Sequence, residues 1–285
     1  MPLLIDTLII QALALSFIST IILTGFLYLI DRKKSGFFMA NASVGISFSW
    51  FCAFILGTPD FPPEFNNSGI LSATVCLLAI GAILDFNFVK ERKFPVPILV
   101  IFISGIGIAC WLRGGIDFWF LPILLGWCVI AGGLQRVATN KEFGASISTF
   151  LLIIASAGSG AIAWISGIAV DRDLSFGLFA ILTGFYVCTW PKSRLNFGYG
   201  ILLAGGGSLY MIAIRLIEQM PPLIPAFIIL GFAFYTDYAC QYVHKNTKLI
   251  WSIPTSIKLA VLTLFPLSLA IVVSLIAIEF PINQE

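Results

Sequence analysis

Long apolar runs alternate with short polar clusters from one end of the chain to the other. A helix that crosses a bilayer needs about 20 mostly apolar residues, and each run is near that length. We predict ten membrane-spanning helices, at Leu3–Ile30, Met39–Gly57, Asn67–Asp85, Val96–Leu112, Phe118–Leu134, Gly144–Ile168, Ser175–Trp190, Phe197–Leu216, Leu223–Val243 and Ile257–Glu279. The fourth, fifth and seventh runs are short and aromatic. Nine or eleven spans are therefore the alternative counts, and either would move the C-terminus to the other side of the membrane.

The composition also fits a membrane protein. Hydrophobic residues make up 59% of the chain and charged residues 11%, whereas soluble domains contain about 25% charged residues. The net charge of +2 comes from small scattered clusters, which do not indicate a nucleic-acid partner or a polybasic lipid anchor. We predict an all-α polytopic membrane protein in which residues 1–285 form a single transmembrane domain in the lipid bilayer.

Positive charges are concentrated in alternate loops. Of the 16 lysines and arginines, only Arg113, Arg172 and Arg215 fall in even-numbered connections. The other thirteen are Arg32, Lys33, Lys34, Lys90, Arg92, Lys93, Arg136, Lys141, Lys192, Arg194, Lys245, Lys248 and Lys258. Because lysine and arginine accumulate on the cytoplasmic side, we predict cytoplasmic odd-numbered loops and two external termini. The first run lacks the basic start and cleavage site of a secretory signal, which predicts an uncleaved span.

The apolar segment Asn196–Glu218 carries glycines at 198, 200, 205, 206 and 207. Each interior helix glycine costs roughly 1 kcal/mol relative to alanine, so the triplet at 205–207 indicates a specific use. One use is the close approach of another helix along the small residues Gly200, Ala204 and Ser208. The other is an interrupted helix whose backbone faces a polar cavity.

Several polar residues lie near the predicted cytoplasmic ends of the spans. Asp85 ends the third span, Asn140 and Glu142 follow the fifth, and Asp237 lies about two turns before the end of the ninth. An ionisable residue at membrane depth usually faces protein or a water-filled cavity, so Asp237 indicates a polar interior. A satisfied interhelical hydrogen bond is the alternative interpretation. The neighbouring lysines and arginines suit diphosphate binding, although orientation in the membrane explains them equally well.

Other sequence features exclude several kinds of site. The six cysteines fall singly in six different spans, which indicates buried thiols and neither a disulfide framework nor a zinc site. The only histidine, His244, excludes a multi-histidine metal site, and its use in phosphate binding or proton transfer stays open. The chain has no GxxxxGK[ST], HExxH, GxSxG or DxxD motif.

The order of these features, over about residues 31–258, resembles the polyprenyl-phosphate N-acetylhexosamine-1-phosphate transferases. The resemblance implies an inner-membrane enzyme that moves a sugar 1-phosphate from a UDP-sugar to a polyprenyl phosphate, with magnesium as cofactor if the chain is active. Asp237 falls within one residue of the aspartate that the family carries in its ninth span. The carboxylates that could act in catalysis are Asp85, Glu142 and Asp237. Substrate-binding candidates are Lys90, Arg92, Lys93, Arg136, Asn140, Lys141, Ser208 and His244.

The chain also departs from the family pattern. The segment GAILDF keeps only Asp85 of a paired-aspartate motif, and GLQRVATNKEFGA has Thr139 and Glu142 at two aspartate positions. In the eighth span, Gly205 stands where the family has the aspartate expected to bind the metal. The histidine-rich loop is reduced to HKNTK. Metal-assisted phosphoryl transfer needs hard oxygen ligands, so we expect the fold without the usual catalysis.

Three functions follow as hypotheses. The first is a divergent relative that binds a polyprenyl lipid or a nucleotide-sugar, or serves as a partner of an active enzyme. The second is an active transferase with a rearranged site built from Asp85, Glu142 and Asp237. The third is a small-solute transporter or channel with a broken helix at the glycine triplet. The small-residue stripe and the resemblance are also compatible with a homodimer or a hetero-partner.

Overall fold

The computed structural model describes residues 2–31, 39–57, 68–87, 96–113, 117–139, 144–189, 197–240 and 255–279, and all regular secondary structure within them is helical. Within these residues, the α-helices are α1 (Pro2–Asp31), α2 (Met39–Leu56), α3 (Ser68–Asn87), α4 (Val96–Arg113), α5 (Phe120–Thr139), α6 (Gly144–Ile165), α7 (Ala169–Thr189), α8 (Gly207–Gln219), α9 (Ile224–Gly231) and α10 (Thr255–Glu279). Residues 236–240 are also α-helical. The predicted all-α fold is confirmed for this part of the chain.

Two of the spans are composite. The eighth span, Ile201–Gln219, begins with a π-helix, Ile201–Gly206, that continues directly into α8. The ninth span, Pro221–Cys240, has a 3₁₀ turn at Pro221–Leu223 before α9 and a second at Phe232–Tyr235 after it. The glycine triplet therefore lies in an unbroken helix, at the point where the π-helix passes into α8. The ninth span changes its helical geometry three times, because residues 236–240 are α-helical again.

Eight segments within the described residues are long and apolar enough to cross a bilayer, which makes the chain a multi-pass membrane protein. They include the two composite spans but neither α4 nor α7. The apolar part of α4, Val96–Leu112, is shorter. Helix α7 carries three charged residues near its start, Asp171, Arg172 and Asp173. The orientation of the chain in the membrane stays a prediction.

The predicted bounds differ from the structure mainly at α5 and α7. Helix α7 begins at Ala169 instead of Ser175, because its polar first turn is packed inside the protein. There Asp171 lies 3.3 Å from the Arg215 Nε and accepts a hydrogen bond from Gln219. Helix α5 continues past Leu134 to Thr139, since Arg136 in its last turn pairs with the ninth span.

The buried apolar side chains form two separate clusters. The larger one, the main core, joins α1 to α8 with the end of the ninth span and the start of α10, and it includes the fully buried Trp127 of α5. The smaller one, the second core, holds α9 against α6 and α10. Its five buried members are Ile162, Leu223, Ala226, Leu230 and Ala270. The ninth span is therefore held by both clusters, because Phe234 and Cys240 belong to the main core and Leu230 belongs to the second core.

Candidate functional site

An apolar cleft of about 1150 Å³ separates the ninth span from α5 and the eighth span. Ile123 and Leu209 of the main core line one wall, and Leu230 of the second core lines the other. The bordering side chains Val129 and Phe232 are exposed on the outer surface, and each belongs to a segment long and apolar enough to cross a bilayer. The cleft is therefore reached from the bilayer, between α5 and α9.

Glycines keep part of this cleft open. Gly231, at the junction of α9 and the second 3₁₀ turn, lines the cleft, and a Cβ built on it would meet no atom within 4 Å. Gly126 of α5 also lines it and makes room for Tyr210, whose hydroxyl donates to the Ile123 carbonyl at 2.6 Å. A Cβ at Gly126 would lie 2.5 Å from that hydroxyl oxygen.

The cleft has a polar residue near each end. Trp119 and Glu218 line the end at which α5 begins and α8 finishes. At the other end, Phe234 and Tyr235 of the second 3₁₀ turn meet α5. The Tyr235 hydroxyl donates to the Val129 carbonyl at 2.7 Å, which ties the ninth span to α5.

Arg136 and Asp237 form an ion pair just beyond Tyr235. The Arg136 Nη2 donates to the Asp237 Oδ1 at 2.5 Å, and the Asp237 side chain is only 2% exposed. The guanidinium carbon lies 3.7 Å from the ring centre of Tyr238 and 5.2 Å from that of Tyr235, as in cation–π pairs. Asp237 thus has an interhelical partner, and the charged pair is flanked by two aromatic rings.

Asp85 occupies a different place, at the beginning of the eighth span. Its Oδ1 accepts the Tyr199 N–H at 2.7 Å and its Oδ2 accepts the Gly200 N–H at 2.9 Å. A carboxylate at a helix N-terminus satisfies otherwise unpaired N–H groups and is favoured by the helix dipole. Asn41 of α2 is packed beside it, fully buried, and its amide has no hydrogen-bond partner in the described part of the chain.

Ser208 lies inside the bundle. Its hydroxyl is 2.9 Å from the Thr74 hydroxyl of α3, and both side chains are fully buried. The rest of the predicted small stripe faces α2 and α3 as well, because a Cβ on Gly45 would lie 2.8 Å from the Ala204 Cβ. These contacts support the helix-packing interpretation of Gly200, Ala204 and Ser208.

The structure brings only part of the predicted site into view. Asp85 contacts the start of the eighth span, Asp237 and Arg136 join the ninth span to α5, and Ser208 joins α8 to α3. The remaining seven predicted residues lie outside the described residues. They are Lys90, Arg92, Lys93, Asn140, Lys141, Glu142 and His244.

The described carboxylates do not fit the magnesium site that the resemblance implies. Both Asp85 oxygens accept backbone N–H groups, and Asp237 is paired with a guanidinium. Magnesium prefers several oxygen ligands around one point. Within the residues that the structure describes, no three His, Cys, Asp or Glu side chains are grouped as a metal site. Asp85 and Asp237 are therefore each bound to protein donors and do not converge on one point.

Several structural features were not predicted from the sequence. The cleft itself was missed, and so was the Asp171–Arg215–Gln219 cluster that joins α7 to α8. The sequence does hold signals for two contacts, the one between Arg136, Asp237 and the flanking tyrosines and the one between Asp171 and Arg215. Asp237 lies between two tyrosines in Tyr235–Tyr238, and Asp171 and Arg215 are opposite charges at the same predicted membrane face.

Comparison with known proteins adds no identification, because no family model matches the chain and no curated protein matches it. What the fold and the hydropathy of its helices define is the class, a polytopic α-helical membrane protein. The transferase resemblance stays a prediction from the sequence.

Proposed function

We propose that this protein binds a membrane lipid, with the lipid chain in the cleft between α5 and the ninth span. The observation that carries the proposal is the cleft itself, with about 1150 Å³ of space lined mainly by apolar side chains within the membrane. Ligand sites are typically concave and mostly apolar, with a few polar groups that fix orientation. An apolar cleft that opens to a bilayer suits a lipid chain better than a small polar solute.

Polyprenyl phosphate is the first lipid to test, because it is the acceptor that the transferase resemblance implies. We further propose that the chain lacks the standard magnesium-dependent transfer. Gly205 in place of a metal-binding aspartate and the loss of one paired aspartate support this view. The backbone contacts of Asp85 support it too, since they give that carboxylate a structural role.

A bulky residue in the open part of the cleft tests lipid binding. Gly231→Trp adds a large side chain where a Cβ meets no atom within 4 Å, so the backbone can keep its conformation. The matched control is Gly107→Trp on α4, where a Cβ also meets nothing within 4 Å and which does not line the cleft. Native mass spectrometry of the detergent-solubilised proteins would measure bound polyprenyl phosphate.

We expect Gly231→Trp to weaken binding by about tenfold or more, a difference of about 1.4 kcal/mol, while Gly107→Trp binds like the wild type. Equal binding by all three proteins would contradict the proposal. Release of UMP from UDP-N-acetylhexosamines, measured in parallel with and without magnesium, tests the transferase alternative. Magnesium-dependent release lost in Asp85→Asn, at unchanged protein stability, would show an active enzyme with a rebuilt site.

A further inference from the structure

We propose that Arg136 binds the phosphate group of a lipid whose chain lies in the cleft. This inference rests on the proposed function, because the chain in the cleft brings the headgroup to Arg136. It adds the residue that recognises the phosphate monoester of such a lipid and extends the site to any lipid with that headgroup. The contacts of the Arg136 guanidinium carry the argument.

Arg136 lies next to the end of the cleft that Tyr235 lines. The guanidinium is within cation–π distance of the Tyr235 ring, and the Tyr235 hydroxyl is bound to the Val129 carbonyl. The Arg136 side chain is 30% exposed, so a headgroup can reach it. A chain lying in the cleft would therefore place its polar end beside this guanidinium.

The Arg136 guanidinium has N–H donors that make no hydrogen bond within the described residues. It carries several N–H groups and no acceptor, and among the described residues only its Nη2 makes a hydrogen bond, to Asp237. The Nε is buried and has no hydrogen-bond partner in that part of the chain. A buried donor without an acceptor is unfavourable. The planar guanidinium fork matches phosphate oxygens, with which it forms paired charge-assisted hydrogen bonds.

Its neighbours hold the guanidinium in place for this contact. Tyr238, whose ring centre is 3.7 Å away, supports one side of the guanidinium. Asp237 is almost fully buried and bonds one end of the group, which fixes its direction. The carboxylate also repels an approaching phosphate. Asp237 therefore positions Arg136 and weakens the affinity for an anion at the same time.

Two lipids with the same acyl chains but different headgroups distinguish the contribution of the headgroup to binding from that of the chains in the cleft. Phosphatidic acid carries a phosphate monoester and diacylglycerol carries a hydroxyl, and both can be titrated by native mass spectrometry into the full-length protein. We expect the wild type to bind phosphatidic acid about tenfold more tightly than diacylglycerol, given the strength of a paired arginine–phosphate contact. Arg136→Gln should reduce that preference to less than about twofold, with diacylglycerol binding unchanged. Arg172→Gln is the control, because it removes an arginine that is paired with Asp173 near the start of α7. This variant should keep the preference for phosphatidic acid over diacylglycerol.

Asp237→Asn gives a prediction of opposite sign. The amide keeps an oxygen for Arg136 but removes the negative charge, so phosphatidic acid should bind several-fold more tightly while diacylglycerol is unaffected. A gain of this kind cannot come from an unfolded variant. If Asp237→Asn instead binds both lipids equally more weakly than the wild type, its carboxylate serves only the structure and the inference is wrong.

The remaining outcomes separate this inference from the proposed function. Equal binding of the two lipids by the wild type, with both lost in Gly231→Trp, would leave the cleft as a lipid site and reject Arg136 as a phosphate site. If the wild type bound neither lipid, the lipid site in the cleft and the phosphate site at Arg136 would both be rejected. Glycerol 3-phosphate binding as tightly as phosphatidic acid would point to a soluble phosphate ligand and would overturn the lipid headgroup.

Discussion

Asp85 organises the beginning of the eighth span through its two oxygens. They accept the N–H groups of Tyr199 and Gly200, and the carboxylate is only 4% exposed. Gly198 is part of the same arrangement, because a Cβ there would lie 2.1 Å from the Asn41 Nδ2 and 2.5 Å from the Asp85 Oδ2. A substitution of Asp85 therefore tests the stability of the protein as well as any chemistry.

Asp85→Ala should lower the free energy of unfolding by about 2 kcal/mol or more, since each buried N–H left without an acceptor costs about 1–3 kcal/mol. Asp117→Ala is a matched control, because Asp117 also accepts a backbone N–H, from Trp119 at 3.1 Å, but lies exposed. Thermal unfolding in detergent, followed by circular dichroism, measures both variants. Equal stability of the two would mean that the buried contacts contribute little.

At the scale of the helices, close approach of α2 and α3 to the eighth span depends on small residues on both sides. A Cβ on Gly81 of α3 would lie 2.8 Å from the Gly200 Cα and 2.9 Å from the Tyr199 carbonyl oxygen. In the glycine triplet, by contrast, a Cβ on Gly205 would come no closer than 3.6 Å to any atom. Packing therefore requires a glycine at Gly81 of the neighbouring helix but not at Gly205 of the triplet.

Gly81→Ala should destabilise the protein by about 1–3 kcal/mol, the usual range for overpacking, because the atoms it meets are backbone and cannot rotate away. Gly205→Ala should be neutral or stabilising by up to about 1 kcal/mol, since alanine favours helix and finds room. The midpoints of thermal unfolding of the two variants in detergent provide the comparison. A Gly205→Ala protein less stable than Gly81→Ala would contradict the packing described for these helices.

The helices were predictable from the sequence, whereas the cleft was not. Helix α2 was predicted at Met39–Gly57 and found at Met39–Leu56, because a helix in a bilayer needs a continuous apolar run. Side chains that line the cleft, such as Val129, are as apolar as those that face only lipid, so composition does not distinguish them. The pairing of Arg136 with Asp237 joins residues 101 positions apart, which local patterns do not report.

At the scale of the whole molecule, the two cores explain why a cleft of this size persists. The second core fixes α9 against α6 and α10, and the main core fixes α5 against the eighth span. The Tyr235–Val129 hydrogen bond joins α5 and the ninth span near the Arg136 end. The cleft is therefore bounded by helices that the two cores hold in place, and Phe234 of the main core lines it on the ninth span.

The side of the membrane at which Arg136 lies decides which leaflet could supply that lipid. The loop charges predict ten spans, with the connection at 140–143 in the cytoplasm and both termini outside. Helices α4 and α7 are the two that fall outside the eight long apolar segments. If neither α4 nor α7 crossed the membrane, the two termini would still lie on the same side as each other. Helix α5 would then run in the opposite direction to that in the ten-span arrangement, and Arg136 would lie outside.

Three epitope tags, at the two termini and in the connection at 140–143, distinguish these arrangements when protease is added to intact and to permeabilised cells. Ten spans predict that the terminal tags are cleaved in intact cells and the 140–143 tag only after permeabilisation. Cleavage of all three tags in intact cells would indicate eight spans and a headgroup taken from the outer leaflet. Terminal tags on opposite sides would mean that only one of α4 and α7 crosses, and the side of the 140–143 tag would then identify which. In each case the position of this tag fixes the leaflet that Arg136 faces, because only three residues lie between Arg136 and the tagged connection.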